Sequence, residues 1–185
     1  MEKLKKRLKD PANLFVLNIF IVYAGWKAFS YYIKNSSGWA HSSWLKLIIV
    51  LGKAYAAATC VVLNTFGEFT VRDGISVFYP VLNRKIRVED HCLAIPATVI
   101  FIGTILLFKG SWKNKLWFIP VGILCISAIN LLRLVFVCYT FAHFSEAFFD
   151  INHSVIYVVI TYSLIFLLIA WWMRNFTYSK NDIAS

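Results

Sequence analysis

Cys92, Asn130, Arg133 and His153 are the residues whose types and spacing could carry out a reaction. A thiolate is a nucleophile, and it needs a nearby cation to offset the cost of desolvation. An imidazole can take the thiol proton and later return it to a leaving amine. A guanidinium can stabilise the thiolate, or the oxyanion of a tetrahedral intermediate. Asn130 stands three residues before Arg133, on the same face of a helix, and could orient one of these groups. The chemistry of such a set is acyl transfer: a thioester forms on Cys92 and is resolved by water, an amine or a hydroxyl. It calls for no metal and no cofactor.

Those residues lie in a chain made mostly of apolar runs. Of 185 residues, 59% are hydrophobic, and the mean hydropathy of +0.66 exceeds what a soluble domain carries. The expected solvent is therefore lipid. The net charge of +10 sits mainly in short segments between apolar runs. It argues for membrane topology and contact with anionic lipid, not for nucleic acid. Trp39, Trp44, Trp112, Trp171 and Trp172 lie at or beyond the ends of apolar runs, as an interfacial belt requires. Cys60, Cys92, Cys125 and Cys138 show no C-x-x-C spacing, which speaks against a disulfide framework or a zinc site.

The positions of the four residues follow from topology. Spanning helices are expected at 13–33, 92–108, 116–142 and 153–173. The first follows a basic stretch, 1–12, and is expected to be an uncleaved signal anchor. Basic residues cluster in that stretch, in a loop with Lys109, Lys113 and Lys115, and in the tail 174–185 with Arg174 and Lys180. The positive-inside rule puts all three in the cytoplasm. The loop is then inside only if 44–66 does not cross. That run is expected to be an interfacial or re-entrant helix on the outer face, with Lys46, Lys53, Cys60 and Asn64 near one stripe. Residues 67–91 turn polar and β-like, with a hairpin turn at Asp73 and Gly74. The predicted fold is thus all-α and integral to the membrane. It has four transmembrane helices, one interfacial or re-entrant helix and a small β-rich outer segment.

On that topology Cys92 and His153 both stand at outer helix starts, and Arg133 lies roughly 13 Å below the outer end of its helix. A long arginine side chain can snorkel over part of that distance. An arginine inside an apolar run is costly and by default marks a functional site. Cys60, Cys125 and Cys138 are expected to be buried small residues. His91 and His143 are rival bases, although neighbouring side chains such as those of His91 and Cys92 do not face each other on a helix.

Residues 67–173 resemble the exosortase/archaeosortase family of membrane transpeptidases. The resemblance is carried by His91, Cys92, Leu93, Ala94 and Ile95 at a helix start; by Asn130, Leu131, Leu132 and Arg133 late in the next helix; and by a following segment that opens on His153 and Ser154. It implies that Cys92, Arg133 and His153 form the catalytic set. It also implies an active site on the outer face of the cytoplasmic membrane. The partner it implies is an exported protein with a C-terminal tail of short motif, hydrophobic helix and basic end. The family's cysteine is usually followed by a small residue and glycine, where this chain has Leu93 and Ala94. The competing expectation is a non-catalytic membrane assembly or scaffold protein in which Arg133 is a structural cation.

Overall fold

The computed structural model describes residues 11–108, 110–144 and 157–177. Five α-helices carry the chain: α1 (Pro11–Asn35), α2 (Trp39–Thr65), α3 (Ile95–Leu107), α4 (Trp112–His143) and α5 (Tyr157–Trp172), the last continued by a π-helical turn, Met173–Thr177. Between α2 and α3 lie a small sheet and a 3-10 turn, Asp90–Leu93. Local chemistry sets several of the boundaries. Pro96 opens α3, where a missing N–H costs nothing. Ser111 caps α4, its hydroxyl accepting from the Asn114 amide.

The sheet has strand order β1 (Val71–Asp73), β2 (Ser76–Tyr79), β3 (Arg84–Arg87), antiparallel throughout. Asp73 pairs with Ser76, so the two central turn residues are Gly74 and Ile75, one position later than expected. The reason is backbone sign: Gly74 has φ 63, as the first central residue of a hairpin turn requires. Val77 and Tyr79 point inward and join Ala56, Cys60 and Leu63 of α2 and Leu134 and Cys138 of α4 in one buried cluster.

Three of the described helices are long and apolar enough to cross a membrane: α2, α4 and Val159–Phe176. The expected count of four spans is therefore not reproduced. The run expected at 92–108 shortens to the 13 residues of α3, about 20 Å of helix, because the chain breaks at Ala94. The run expected at 44–66 is one continuous 27-residue helix. Its polar stripe also splits: Lys46 and Lys53 are exposed while Cys60 is buried beside Ala56 and Leu63.

Contacts fix the helix directions. Lys34 at the end of α1 pairs with Asp90 at 3.1 Å, and Gly103 of α3 lies against Val22, so α1 and α3 are antiparallel. The Phe101 ring of α3 lies so closely on Gly122 that it leaves no room for a Cβ there. Phe118 of α4 packs on Trp171 and Trp172, so α4 is antiparallel to both α3 and α5. The ends of α2 complete the arrangement. Trp44 meets Trp26 and Phe29 of α1, and Glu68, just past α2, bonds His143 at the end of α4. Both ends of α2 thus lie toward the C-terminal ends of α1 and α4.

Two basic residues turn out to serve helix ends. Lys115, expected as a loop charge, is buried, and its Nζ donates to the Leu106 and Phe108 carbonyls at 2.9 and 2.7 Å. Arg84 of β3 donates to the Phe141 and Ala142 carbonyls at 2.6 and 3.3 Å. Each supplies donors to carbonyls that a helix C-terminus leaves over. Trp172 also departs from expectation: it is fully buried against Phe118 and Phe176 rather than in a belt. Lys115→Met should lower stability by about 1.5–3 kcal/mol, the worth of hydrogen bonds to a charged group, while Lys115→Arg should lose less. Unfolding in a detergent–SDS titration measures this, and an unchanged midpoint for Lys115→Met would refute the capping role.

Candidate active site

The site is built where the 3-10 turn meets α4. Cys92 is not the first residue of a helix, as expected. It lies inside Asp90–Leu93, its amide donating to the Glu89 carbonyl at 2.9 Å. The chain then reverses at Ala94, whose φ of 51 and ψ of 23 are left-handed. The Thr98 amide and hydroxyl both donate to the Ala94 carbonyl at 3.0 Å and fix the first turn of α3. Ala94 is the position where the family pattern described above has glycine. The backbone supplies the reason: the left-handed region penalises a Cβ and not a glycine.

On the α4 side, Ile126, Asn130, Leu134, Val137 and Cys138 form the buried stripe at the spacing of one helix face. Asn130 is the polar member, 1% exposed. Its Nδ2 donates to the Cys92 carbonyl at 2.8 Å, a bond that joins residues 38 positions apart. Asn130 was expected to orient one of the reactive groups, and its observed hold is on the backbone of Cys92. Arg133 follows one turn later. It was expected well below the cysteine, at a depth its side chain must climb from. Instead, the turn carrying Cys92 comes to the level of Asn130, and the helix continues for ten residues past Arg133, about 15 Å.

The electrostatics oppose one another at the thiol. Burial pushes Cys92 up from the ordinary thiol value; a backbone hydrogen bond at Glu89 and the charge of Arg133 pull it down, and Glu89 and Asp90 raise it again. Burial is the largest of these, so the resting group is a thiol that needs a base. His153, expected as that base, lies outside the described residues, as does the side chain of His91. His143 bonds Glu68 at 2.9 Å, thirteen residues beyond Asn130 and so about 20 Å along the helix. That distance removes it as a partner for Cys92.

Beside Arg133 opens a groove of about 660 Å³. Leu63 of α2 and Phe66 just past its end, Leu132 and Phe136 of α4 and Ile160 of α5 line it with Arg133. The end of α2 is the wall that the sequence did not announce, because nothing in the periodicity of 44–66 says which helix it leans on. Ala94 was also missed as a structural position, although the expected glycine was a signal for it.

Two outcomes test this geometry. Ala94→Gly should stabilise the protein by about 1 kcal/mol and Ala94→Val should destabilise it, again read as an unfolding midpoint. Alkylation of Cys92 should rise with pH to a midpoint above that of a free thiol, and Arg133→Gln should move it higher still. A midpoint that does not respond to Arg133→Gln would remove the guanidinium from the thiol's surroundings.

A sequence model of the transmembrane exosortase family matches residues 14–172. No curated protein and no solved structure is significantly similar to the chain. The match takes in the 3-10 turn with Cys92, the buried stripe with Asn130, the neighbouring half-buried Arg133, and the sheet between α2 and α3. This integral membrane protein belongs to the transmembrane exosortase family.

Proposed function

We propose that the protein is a membrane cysteine transpeptidase or protease that cleaves C-terminal sorting tails of exported proteins. The observation that carries the reading is the bond between Asn130 and Cys92, on the helix that also carries Arg133. A nucleophile type on the 3-10 turn is held through its backbone by a buried amide of α4, and a cation of the same helix lowers the thiol's proton affinity. Family membership supports the same class of reaction.

In this reading Cys92 Sγ attacks the scissile carbonyl as its proton passes to His153. Arg133 stabilises the oxyanion. Collapse breaks the C–N bond, and the leaving amine takes the proton from His153. The thioester on Cys92 is then attacked by water, an amine or a hydroxyl, which restores the thiol. Asn130 acts on the first step by holding the Cys92 carbonyl.

The proposed site faces outward from the cytoplasmic membrane. Basic residues at the N-terminus and Lys109 and Lys113 around the start of α4 support that orientation. So do the ends of α2, which both lie toward the C-terminal ends of α1 and α4. A helix so placed lies obliquely at one face of the bundle, as an interfacial or re-entrant segment does, even though its length and composition would allow it to cross. The substrate is an exported protein bearing a short motif, a hydrophobic helix and a basic end.

The test is processing of a tail-bearing exported protein in cells. Cys92→Ala should abolish cleavage, and Arg133→Ala and His153→Ala should each lower it by about a thousandfold or more, the scale on which members of a catalytic set act. All three variants should still accumulate in the membrane. Normal processing by Cys92→Ala would overturn the proposal. Low yield of Arg133→Ala alone, with Cys92→Ala silent, would instead make Arg133 the structural cation of a scaffold.

A further inference from the structure

The side-chain amide of Asn130 has two ends, and the structure accounts for one. Nδ2 faces the Cys92 carbonyl at 2.8 Å. A carbonyl oxygen can be faced at that distance only by a donor, so the orientation of the amide is chemically fixed. Oδ1 must therefore point away from Cys92 O. It is buried and meets no donor among the described residues. Leaving a buried acceptor unpaired costs free energy, which makes such atoms exceptions in need of a cause.

We propose that Asn130 Oδ1 is the acceptor for a main-chain N–H of the acyl donor, beside the carbonyl that Cys92 attacks. This rests on the reading of Cys92 as the nucleophile. Cys92 is itself 7% exposed, so any substrate that reaches its thiol must part the side chains around it. Asn130 is bonded to that same residue, and the opening that uncovers one uncovers the other. Arg133 stands one helical turn along, about 5–6 Å away at the level of the Cβ atoms. It lines the neighbouring groove and offers donors where Asn130 offers an acceptor. An extended peptide presents an N–H and a C=O from one residue on the same side, so the pair on α4 suits a peptide main chain. Asn130 thus selects acyl donors that carry a secondary amide over donors that lack the N–H.

The experiment uses the full chain in detergent micelles and two alkylating reagents, iodoacetamide and its N,N-dimethyl analogue. Both bring a carbonyl to the thiol, and only the first brings an N–H. Modification of the Cys92 peptide is followed by mass spectrometry, and the ratio of the two rates is compared with that for free cysteine. A favoured N–H should raise the ratio at Cys92 about tenfold over free cysteine, the effect of one hydrogen bond. Asn130→Leu should return it to the free value. A general loosening of the site alters both rates and leaves their ratio unchanged. A wild-type ratio equal to that of free cysteine overturns the role of Asn130, whether or not Asn130→Leu folds, and leaves the thiol reading standing. A raised ratio that persists in Asn130→Leu overturns it as well. Failure of both reagents to modify Cys92, while half-buried Cys125 is modified, removes the nucleophile and the inference together.

Discussion

In hydrocarbon a backbone carbonyl without a donor has no water to fall back on, and a side-chain donor meets the backbone at three of the described helix ends and turns. The carbonyl of Cys92, in the turn ahead of α3, is met by Asn130. The last carbonyls of α3 are met by Lys115 and those of α4 by Arg84. Each donor comes from a different element from the carbonyl it serves. Satisfying the helix ends therefore also ties α3 to α4 and the sheet to α4. The thiol is placed by this accounting, because the bond that rescues its carbonyl holds its turn against the helix that carries Arg133.

Packing gives that bond its precision. Phe101 lies on Gly122 with no room for a side chain between them. The two helices are thereby brought into register two turns before Asn130 reaches Cys92. The left-handed Ala94 then lets the chain turn out of α3 and across the face of α4. Above this level, Val77 and Tyr79 of the sheet and Ala56 and Leu63 of α2 close the cluster over Cys92. The same enclosure raises the thiol's proton affinity, so the arrangement that positions the thiol also keeps it protonated.

Much of this was legible in the sequence, for reasons that differ between elements. The long apolar runs 13–33 and 116–142 are helical, and the second is among the helices long and apolar enough to cross a membrane. The β-like stretch followed from alternation, with its turn displaced by one residue because only Gly74 has the required backbone sign. Asn130 and Arg133 stood out as polar groups in an apolar helix, and Cys92 as their partner. What could not be read was depth. Charge counting located Lys115 in a loop, whereas the capping of α3 is a tertiary demand that no local pattern records. The early break at Ala94 shortened the expected 92–108 helix. It also brought the turn of the cysteine to the level of Asn130, one helical turn from Arg133, so the expected separation in depth is not found. His153 lies outside the described residues, and its role is still a sequence-based expectation.

The shortness of α3 bears on water. Thirteen residues cover about 20 Å, against about 30 Å of hydrocarbon in a typical bilayer. Measured upward from the Lys115 cap, the turn that carries Cys92 stops short of a full hydrocarbon thickness. Under the proposed function, a carbonyl delivered to this thiol would be attacked in a medium poorer in water than the bulk phase. The competition that decides the fate of a thioester shifts accordingly. Hydrolysis depends on the local activity of water, whereas an acceptor that partitions into the bilayer or is presented at its surface arrives at raised local concentration. If the proposed acyl transfer takes place here, the truncated helix would favour transfer over hydrolysis through the solvent it selects.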